Sequence, residues 1–505
     1  MDYSNQRKLG ALLSYFTLGF NILIGMVYTP FVISKLGSVQ YGVYNLANSL
    51  ISFITLLDLG LGQTIVRYIT KARICENKEE ESRLNGLFLK TYSAISLVAL
   101  ILGVAIIILY PAVAKQSLSK EEISLFRAVY SILVINVVIS FPLSIFSATL
   151  NAYEEFFSLR MIELIANILK YAALFILLFN GYKLVAIATV TLVFSVLMHL
   201  AHVYLCISRT NIKISFAPTE KKLSREIFAF SFFIFLNMII DFLYVSTDKM
   251  ILGAVSGAIA VSVYSIGVYF SRYFSELSTA LSGVFMPKIM GMYQRNEKQE
   301  ISDTFNRVGR LQMALLFLVL GGYICLGREF LLLWVGPDFS ESYWIGIIIM
   351  VPSIIPLTQN IGITILRVMN QHKYRSYMYL VIAIINVIIS IPLAMRMGGV
   401  GSAIGTAIGN ILGQIIFMNW FYSKKVGIQI RNYWINILKF SILTFVVVSI
   451  VWFFKTRFMN LGWISLFIFI VAFSVLYTGL YFCFVADSYE KSFVKSIINK
   501  IVKRG

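Results

Sequence analysis

The chain has 505 residues, 58% of them hydrophobic and 13% charged, with a formal net charge of +19 and a mean hydropathy of +0.81. That balance excludes a soluble domain, and in so apolar a chain the excess Lys and Arg orient loops across a membrane rather than contact nucleic acid. The cysteines at 75, 206, 325 and 483 are scattered without a CxxC, so neither a disulfide framework nor a metal site is expected.

Apolar runs long enough to cross ~30 Å of hydrocarbon predict fourteen spans. They lie at 9–33, 41–62, 84–110, 123–149, 159–180, 184–207, 226–252, 259–286, 309–335, 343–369, 376–397, 399–422, 434–454 and 461–486. The fold class is therefore all-α, a polytopic membrane protein. The first run follows Arg7-Lys8. It lacks a small-residue cleavage site and is longer than the apolar core of a signal peptide, so it is read as span 1.

Several spans carry polar residues at helical spacing, on one face. Span 1 has Ser14, Thr17 and Asn21; span 2 has Asn48, Ser52, Thr55 and Asp58. Span 5 has Glu163, Asn167 and Lys170. Span 6 has His199 and His202, three apart, with no carboxylate or Cys close in sequence; a packed or interfacial pair is the preferred reading over a metal site. Span 7 has Asn237, Asp241, Tyr244 and Asp248, with Asp248 and Lys249 near its outer end. Span 8 has Ser265, Tyr269, Arg272, Glu276 and Thr279, where Arg272 and Glu276 stand four apart and can pair. Span 12 opens on Gly398-Gly399 and continues with Gly401, Gly405, Gly409 and Gly413, a small-residue stripe read as close helix packing. Pro30, Pro142, Pro287, Pro352, Pro356 and Pro392 punctuate spans and supply kinks.

Most of the 43 Lys and Arg fall in the loops after even-numbered spans and in the tail. Examples are Arg67, Lys71 and Arg73, then Lys221 and Lys222, then Lys424 and Lys425, and at the end Lys500, Lys503 and Arg504. This bias places both termini in the cytoplasm. The loops are short, leaving no extramembrane domain to house an active site. No GxxxxGK[ST] is present, so ATP hydrolysis through a P-loop is not expected.

A repeat runs through this pattern. Leu36-Gly37 with Tyr44 returns as Leu252-Gly253 with Tyr264, and Pro142-Leu-Ser through Asn151 returns as Pro356-Leu-Thr through Asn370. The offset covers six spans, an even number, so the two halves point the same way through the membrane. The expected organisation is an N-terminal lobe at 1–214, a C-terminal lobe at 215–425, and an appended segment at 426–505 holding spans 13–14 and a basic tail.

A charge at mid-bilayer costs about 2.5–3.5 kcal/mol on insertion scales, so such residues face protein or water. The stripes suggest a hydrated cavity lined by spans 1, 2, 7 and 8, with span 5 contributing. Arg272 and Lys170 suit an anionic group, Arg bidentately and Lys as a point charge. Tyr244, Tyr269 and Asn237 offer rings and hydrogen-bonding groups. Asp241, Glu276 and Glu163 are candidate ion-coupling carboxylates. The plainer alternative is that Arg272–Glu276 is a structural pair and that Asp241 hydrogen-bonds between helices.

Pro30-Phe-Val-Ile-Ser-Lys-Leu-Gly-Ser-Val-Gln-Tyr-Gly-Val-Tyr44 followed by Leu57-Asp-Leu-Gly60 resembles the opening of polysaccharide exporters of the Wzx type. Thr247-Asp-Lys-Met-Ile-Leu-Gly253 resembles the start of their second half, and Asn370-Gln-His-Lys through Ile385-Asn386 to Gly398-Gly-Val-Gly-Ser-Ala-Ile-Gly405 resembles the region of spans 10–12. The resemblance covers essentially the whole chain and extends to the superfamily of MATE drug exporters and the lipid II flippase MurJ. It implies two six-helix lobes plus two helices. It also implies a polyprenyl-pyrophosphate-linked oligosaccharide as cargo, its pyrophosphate on Arg272 and Lys170 and its sugars on Tyr244, Tyr269 and Asn237, flipped from the inner to the outer leaflet of the bacterial cytoplasmic membrane for O-antigen or capsule synthesis. Membrane lipids and glycan polymerase machinery are the expected partners, a monomer the expected state, and no cofactor is called for. A cation-coupled drug exporter and a lipid II flippase are the alternatives in transport. A glycosyltransferase or polymerase is the alternative enzyme, but the outer loops near 111–122 and 336–342 hold no convincing acid/base pair.

Overall fold

The computed structural model describes residues 3–282, 285–369, 371–457, 462–488 and 490–492. Every regular element among them is helical. In chain order they are α1 (Tyr3–Thr55), α2 (Leu61–Ile74), α3 (Lys78–Val113), α4 (Lys120–Ala152), α5 (Phe156–Phe179) and α6 (Leu184–Thr210). There follow α7 (Lys221–Val245), α8 (Thr247–Val255), α9 (Gly257–Ser282), α10 (Met286–Gln294), α11 (Lys298–Trp334), α12 (Ser342–Thr358), α13 (Asn360–Val368) and α14 (His372–Gly409). After a π-helical stretch at Asn410–Phe417 come α15 (Met418–Phe421), α16 (Ile430–Lys455) and α17 (Trp463–Leu480). Among the described residues, ten helical segments are long and apolar enough to cross a membrane.

Twelve of the fourteen expected spans fall in those ten segments, two of which hold a pair each across a bend; spans 7 and 8 coincide with α7–α8 and α9, which are not among the ten. α1 holds two spans joined at Gly37, whose φ of 77° only glycine adopts without strain. α14 holds spans 11 and 12, joined at Gly398 (φ 54°). Span 7 is α7 plus α8, and span 10 is α12 plus α13, where Pro352 and Pro356 precede a break at Gln359. Capping fixes other ends. Asn77 accepts from the Glu80 amide at 3.0 Å at the start of α3, and Ser119 and Glu122 form a reciprocal capping box on α4.

Two stretches read as loops are helices. In α2, Ile65, Tyr68, Ile69 and Ala72 are buried, while Arg67, Lys71 and Arg73 sit on the remaining faces. This amphipathic helix is too polar to register as a span. α10 occupies the equivalent place after span 8.

The chain divides into two compact units, 1–262 and 263–505. This boundary falls inside α9, later than the repeat boundary at 214, because α7 and α8 pack within the first unit. Thr64 and Ser231 share a hydrogen bond at 2.8 Å. The Tyr110 hydroxyl donates to the Met250 carbonyl at 3.1 Å, and that of Ser117 to the Gly253 carbonyl at 2.8 Å. In the second unit the glycine stripe has the packing role expected of it. A Cβ at Gly401, Gly405 or Gly413 would run into Leu393, Ser390 or Ile382 of the preceding helix. Spans 11 and 12 therefore approach almost backbone to backbone.

Candidate functional site

The first candidate group lies on α5, in the first unit. Apolar residues of α1 hold that helix. Tyr28 meets Tyr171 and Phe175 edge-on at 5.2 and 5.6 Å between centroids, and Phe31 meets Phe175 at 5.0 Å. Against this aromatic wall sits Lys170, past the middle of the span. Its Nζ donates to Asn167 Oδ1 at 2.9 Å and lies 4.8 Å from the Tyr171 ring centroid. Among the described residues no carboxylate lies within ion-pair distance of it. Glu163, two turns earlier, is engaged separately: Arg160 Nη1 donates to its Oε2 at 2.6 Å. The shared face of α5 thus carries one neutralised carboxylate and one cation balanced only by dipoles.

The second group lies on α9, in the second unit. Arg272 Nε donates to Glu276 Oε1 at 3.0 Å, as their spacing predicts, yet the arginine side chain is 79% exposed. Glu276 is 31% exposed, and its Oε2 is shielded from solvent with no hydrogen-bond partner among the described residues. A turn away, the Tyr273 hydroxyl donates to that of Tyr269 at 3.1 Å, and the Tyr269 ring lies 5.3 Å from Trp334. Arg272 and Tyr269 share a helix, and Tyr269 rests on the rings of Tyr273 and Trp334. α9 is not among the ten segments apolar enough to cross a membrane, and an exposed guanidinium midway along it calls for water or an anion beside it, since hydrocarbon solvates neither its charge nor its five donors.

Asn237, Asp241 and Tyr244 lie outside the described residues as far as their side chains are concerned; their backbone is helical, in α7. Asp248, expected near the outer end of span 7, is buried (3% exposed) in the first turn of α8. There the helix N-terminus favours a carboxylate.

The stripe on span 2 is largely self-satisfied. Asn48 donates to the Tyr44 carbonyl at 2.8 Å, Ser52 to that of Asn48 at 2.9 Å, and Thr55 to that of Ser52 at 2.8 Å. Asp58 accepts from the Tyr92 hydroxyl at 2.6 Å, beside the left-handed residues Leu59 and Gly60 that turn span 2 into α2. These groups shape the helix more than they offer a ligand surface. His202 is buried, with His199 edge-on at 6.2 Å.

Two polar networks in the second unit are absent from the sequence reading. Arg310 of α11, 7% exposed, donates to Glu490 Oε1 and Oε2 at 2.9 and 2.7 Å. It also donates to Asn436 Oδ1 and the Val485 carbonyl, each at 2.8 Å. Gln312 donates to the Ser278 carbonyl and hydroxyl at 3.0 and 3.1 Å, and Ser278 donates on to the Leu357 carbonyl at 2.6 Å, just before the break in span 10. Position gave no cue to either. Arg310 reads as one more cytoplasmic anchor, and its partners are 126 and 180 residues away.

Comparison with known proteins gives this geometry its setting. Residues 10–293 match the family described as polysaccharide biosynthesis protein. A relative, the "Uncharacterized membrane protein EpsK" of Bacillus subtilis (strain 168), is 20% identical over 394 residues, 74% of each chain. Among solved structures, the lipid II flippase MurJ in an inward closed conformation superposes with a TM-score of 0.71 at 16% identity, over 94% of this chain and 98% of that one. An inward-facing multidrug resistance MATE family transporter of the MOP superfamily gives 0.59 at 16% identity, over 79% and 93%. The chain shares the fold of these two structures and belongs to the polysaccharide biosynthesis protein family.

Proposed function

We propose that this family member is a flippase that moves polyprenyl-pyrophosphate-linked oligosaccharide repeat units from the inner to the outer leaflet of the bacterial cytoplasmic membrane, for O-antigen or capsule synthesis. The physical task is to carry a pyrophosphate and a hydroxyl-rich glycan past hydrocarbon while the lipid tail stays in the bilayer. The observation that carries the reading is Lys170: a mid-span ammonium held by Asn167 and Tyr171 and left without a carboxylate among the described residues. A cation kept at that cost is suited to an anionic cargo.

Arg272, exposed on α9, adds a planar donor fork that fits a pyrophosphate. Tyr269, braced by Tyr273 and Trp334, and Tyr244 present rings and hydroxyls to sugars; Asn237 adds an amide. Glu276, paired with Arg272 through one oxygen and with the other shielded from solvent, is a candidate coupling carboxylate beside Asp241. Glu163, already paired with Arg160, is the weaker member of that set. With no P-loop in the sequence, cargo flux or an ion gradient supplies the drive through alternating access, and the protein performs transport rather than bond chemistry. Both termini lie in the cytoplasm on the charge bias, and membrane lipids and the glycan polymerase machinery are its partners.

The test is Arg272→Ala and Lys170→Ala in cells whose surface polysaccharide depends on this protein. Each variant is expected to reach the membrane at the wild-type level and to lose export. Normal export by both would overturn the assignment.

A further inference from the structure

Span 7 opens the second half of the sequence repeat, yet the first six spans hold it at both of its ends. At the end that the charge bias places in the cytoplasm, it meets α2. That helix is tied to its own half: Asp58, just before it, accepts from Tyr92 of α3 at 2.6 Å, and Thr70 donates to the Ala152 carbonyl of α4 at 3.4 Å. Thr64 of α2 and Ser231 of α7 are 0% and 2% exposed, with their hydroxyl oxygens 2.8 Å apart. Thr64 directs its one hydrogen to the Gly60 carbonyl at 3.0 Å, so Ser231 donates to Thr64. Gly60 holds φ at 73°, and a Cβ there would stand 2.5 Å from that of Ile234 on α7.

At the other end the contacts fall on backbone. Tyr110 donates to the Met250 carbonyl at 3.1 Å, and Ser117 to those of Gly253 and Ala254 at 2.8 and 3.0 Å. A Cβ on Gly42 would lie 1.8 Å from the Ala258 carbonyl oxygen, and one on Gly257 2.6 Å from that of Ser117. The outer contact thus combines two hydroxyls on carbonyls with two close backbone approaches. The inner one has a single hydrogen bond between side chains, and its acceptor hydroxyl already serves Gly60.

A protein that exposes its cargo site to one side at a time must break one of these contacts while the other holds. We infer that the Thr64–Ser231 pair is the latch of a gate at the inner end of span 7, and that it yields before the outer contact does. The protein then rests ready to load from the cytoplasmic leaflet. The inference rests on the transport reading above, but not on the identity of the cargo, and neither hydroxyl touches cargo.

The test follows two distances in the full-length protein in lipid nanodiscs, by double electron–electron resonance between spin labels at exposed positions. Cys75, at the end of α2, and Arg225→Cys in α7 span the inner contact. Lys115→Cys and Ile259→Cys span the outer one. Cys483→Ser removes the other exposed thiol, and Cys75→Ser is added for the outer pair. Thr64→Val keeps the side chain's shape and removes its hydroxyl. It should raise the fraction of molecules at the longer inner distance at least threefold and leave the outer distance in place; Ser231→Ala should do the same.

A second measurement is free of any effect on folding. Thr64→Cys with Ser231→Cys, in the Cys75→Ser and Cys483→Ser background, puts two sulfurs within bonding reach. Its oxidised and reduced forms are one protein. Oxidation should stop glycan flipping in proteoliposomes, and reductant should restore it. Inner distances unmoved by both Thr64→Val and Ser231→Ala would overturn the latch. So would a cysteine pair that does not crosslink, or one that flips as fast oxidised as reduced. If the wild type flips no lipid-linked glycan, the cargo reading fails, and the distances still decide the gate.

Discussion

Replacing Lys170 by Met separates a residue kept for function from one kept for structure. A lysine at mid-bilayer costs about 2.5–3.5 kcal/mol on insertion scales. Two observed contacts offset part of that. The hydrogen bond to Asn167 at 2.9 Å involves a charged donor and returns about 1.5 kcal/mol. The Tyr171 ring at 4.8 Å returns about 0.5–1 kcal/mol. The remainder, about 0–1.5 kcal/mol, is a net cost to the folded protein, which Met removes at nearly the same volume. Lys170→Met should therefore unfold at the same temperature as the wild type or a degree or two higher, while glycan export collapses. Thermal unfolding in detergent and surface polysaccharide in cells, measured on the same variant, read the two effects apart. If Lys170→Met unfolds several degrees lower and retains export, the lysine is a structural element and the reasoning fails.

The Arg310 network makes the opposite prediction. Arg310→Met strands Glu490, 2% exposed, without its main partner, and should cost about 3–5 kcal/mol, seen as a large drop in unfolding temperature. The double variant Arg310→Met with Glu490→Met should recover most of it, because a matched apolar pair replaces the buried ions. Gly405→Leu, which drives a side chain into Ser390, should cost about 1–3 kcal/mol by overpacking, while Gly462→Leu, with open space around it, should change stability by less than about 0.5 kcal/mol; unfolding temperatures of the two compared side by side check this. Tyr273→Phe removes the hydrogen bond to Tyr269 at 3.1 Å and keeps the ring packing. It should lower export severalfold at unchanged stability, measured by polysaccharide yield per folded protein.

Much of the fold is legible in the chain because hydrocarbon leaves the backbone only one way to satisfy its hydrogen bonds. Long apolar runs therefore translate directly into helices, and glycines 37 and 398 mark where one helix becomes two. The glycine stripe of span 12 is legible for the same reason: small residues at helical spacing have few uses in a membrane other than close approach. α2 is less so, because an amphipathic surface helix is averaged away when apolar length is the criterion.

The site is legible only in part. Spacing alone shows that Arg272 and Glu276 can pair, but not that the arginine remains exposed while one Glu276 oxygen is shut off from solvent. Spacing likewise draws the polar stripe on span 2, yet most of its side chains turn back onto their own helix. Long-range pairs such as Arg310 with Glu490 depend on which spans become neighbours, which local pattern does not specify.

The central claim is that the protein carries a polyprenyl-pyrophosphate-linked glycan across the bilayer. Reconstitution in proteoliposomes tests it most directly, with a fluorescent lipid-linked oligosaccharide in both leaflets and a membrane-impermeant enzyme that trims only the exposed sugar. With the wild-type protein and no ATP, trimming should run past the half accessible at the start toward completion, and stop at that half with Lys170→Ala or Arg272→Ala. Trimming that halts at half with the wild type, in vesicles where the same protein exchanges a cationic drug for protons, would contradict the account.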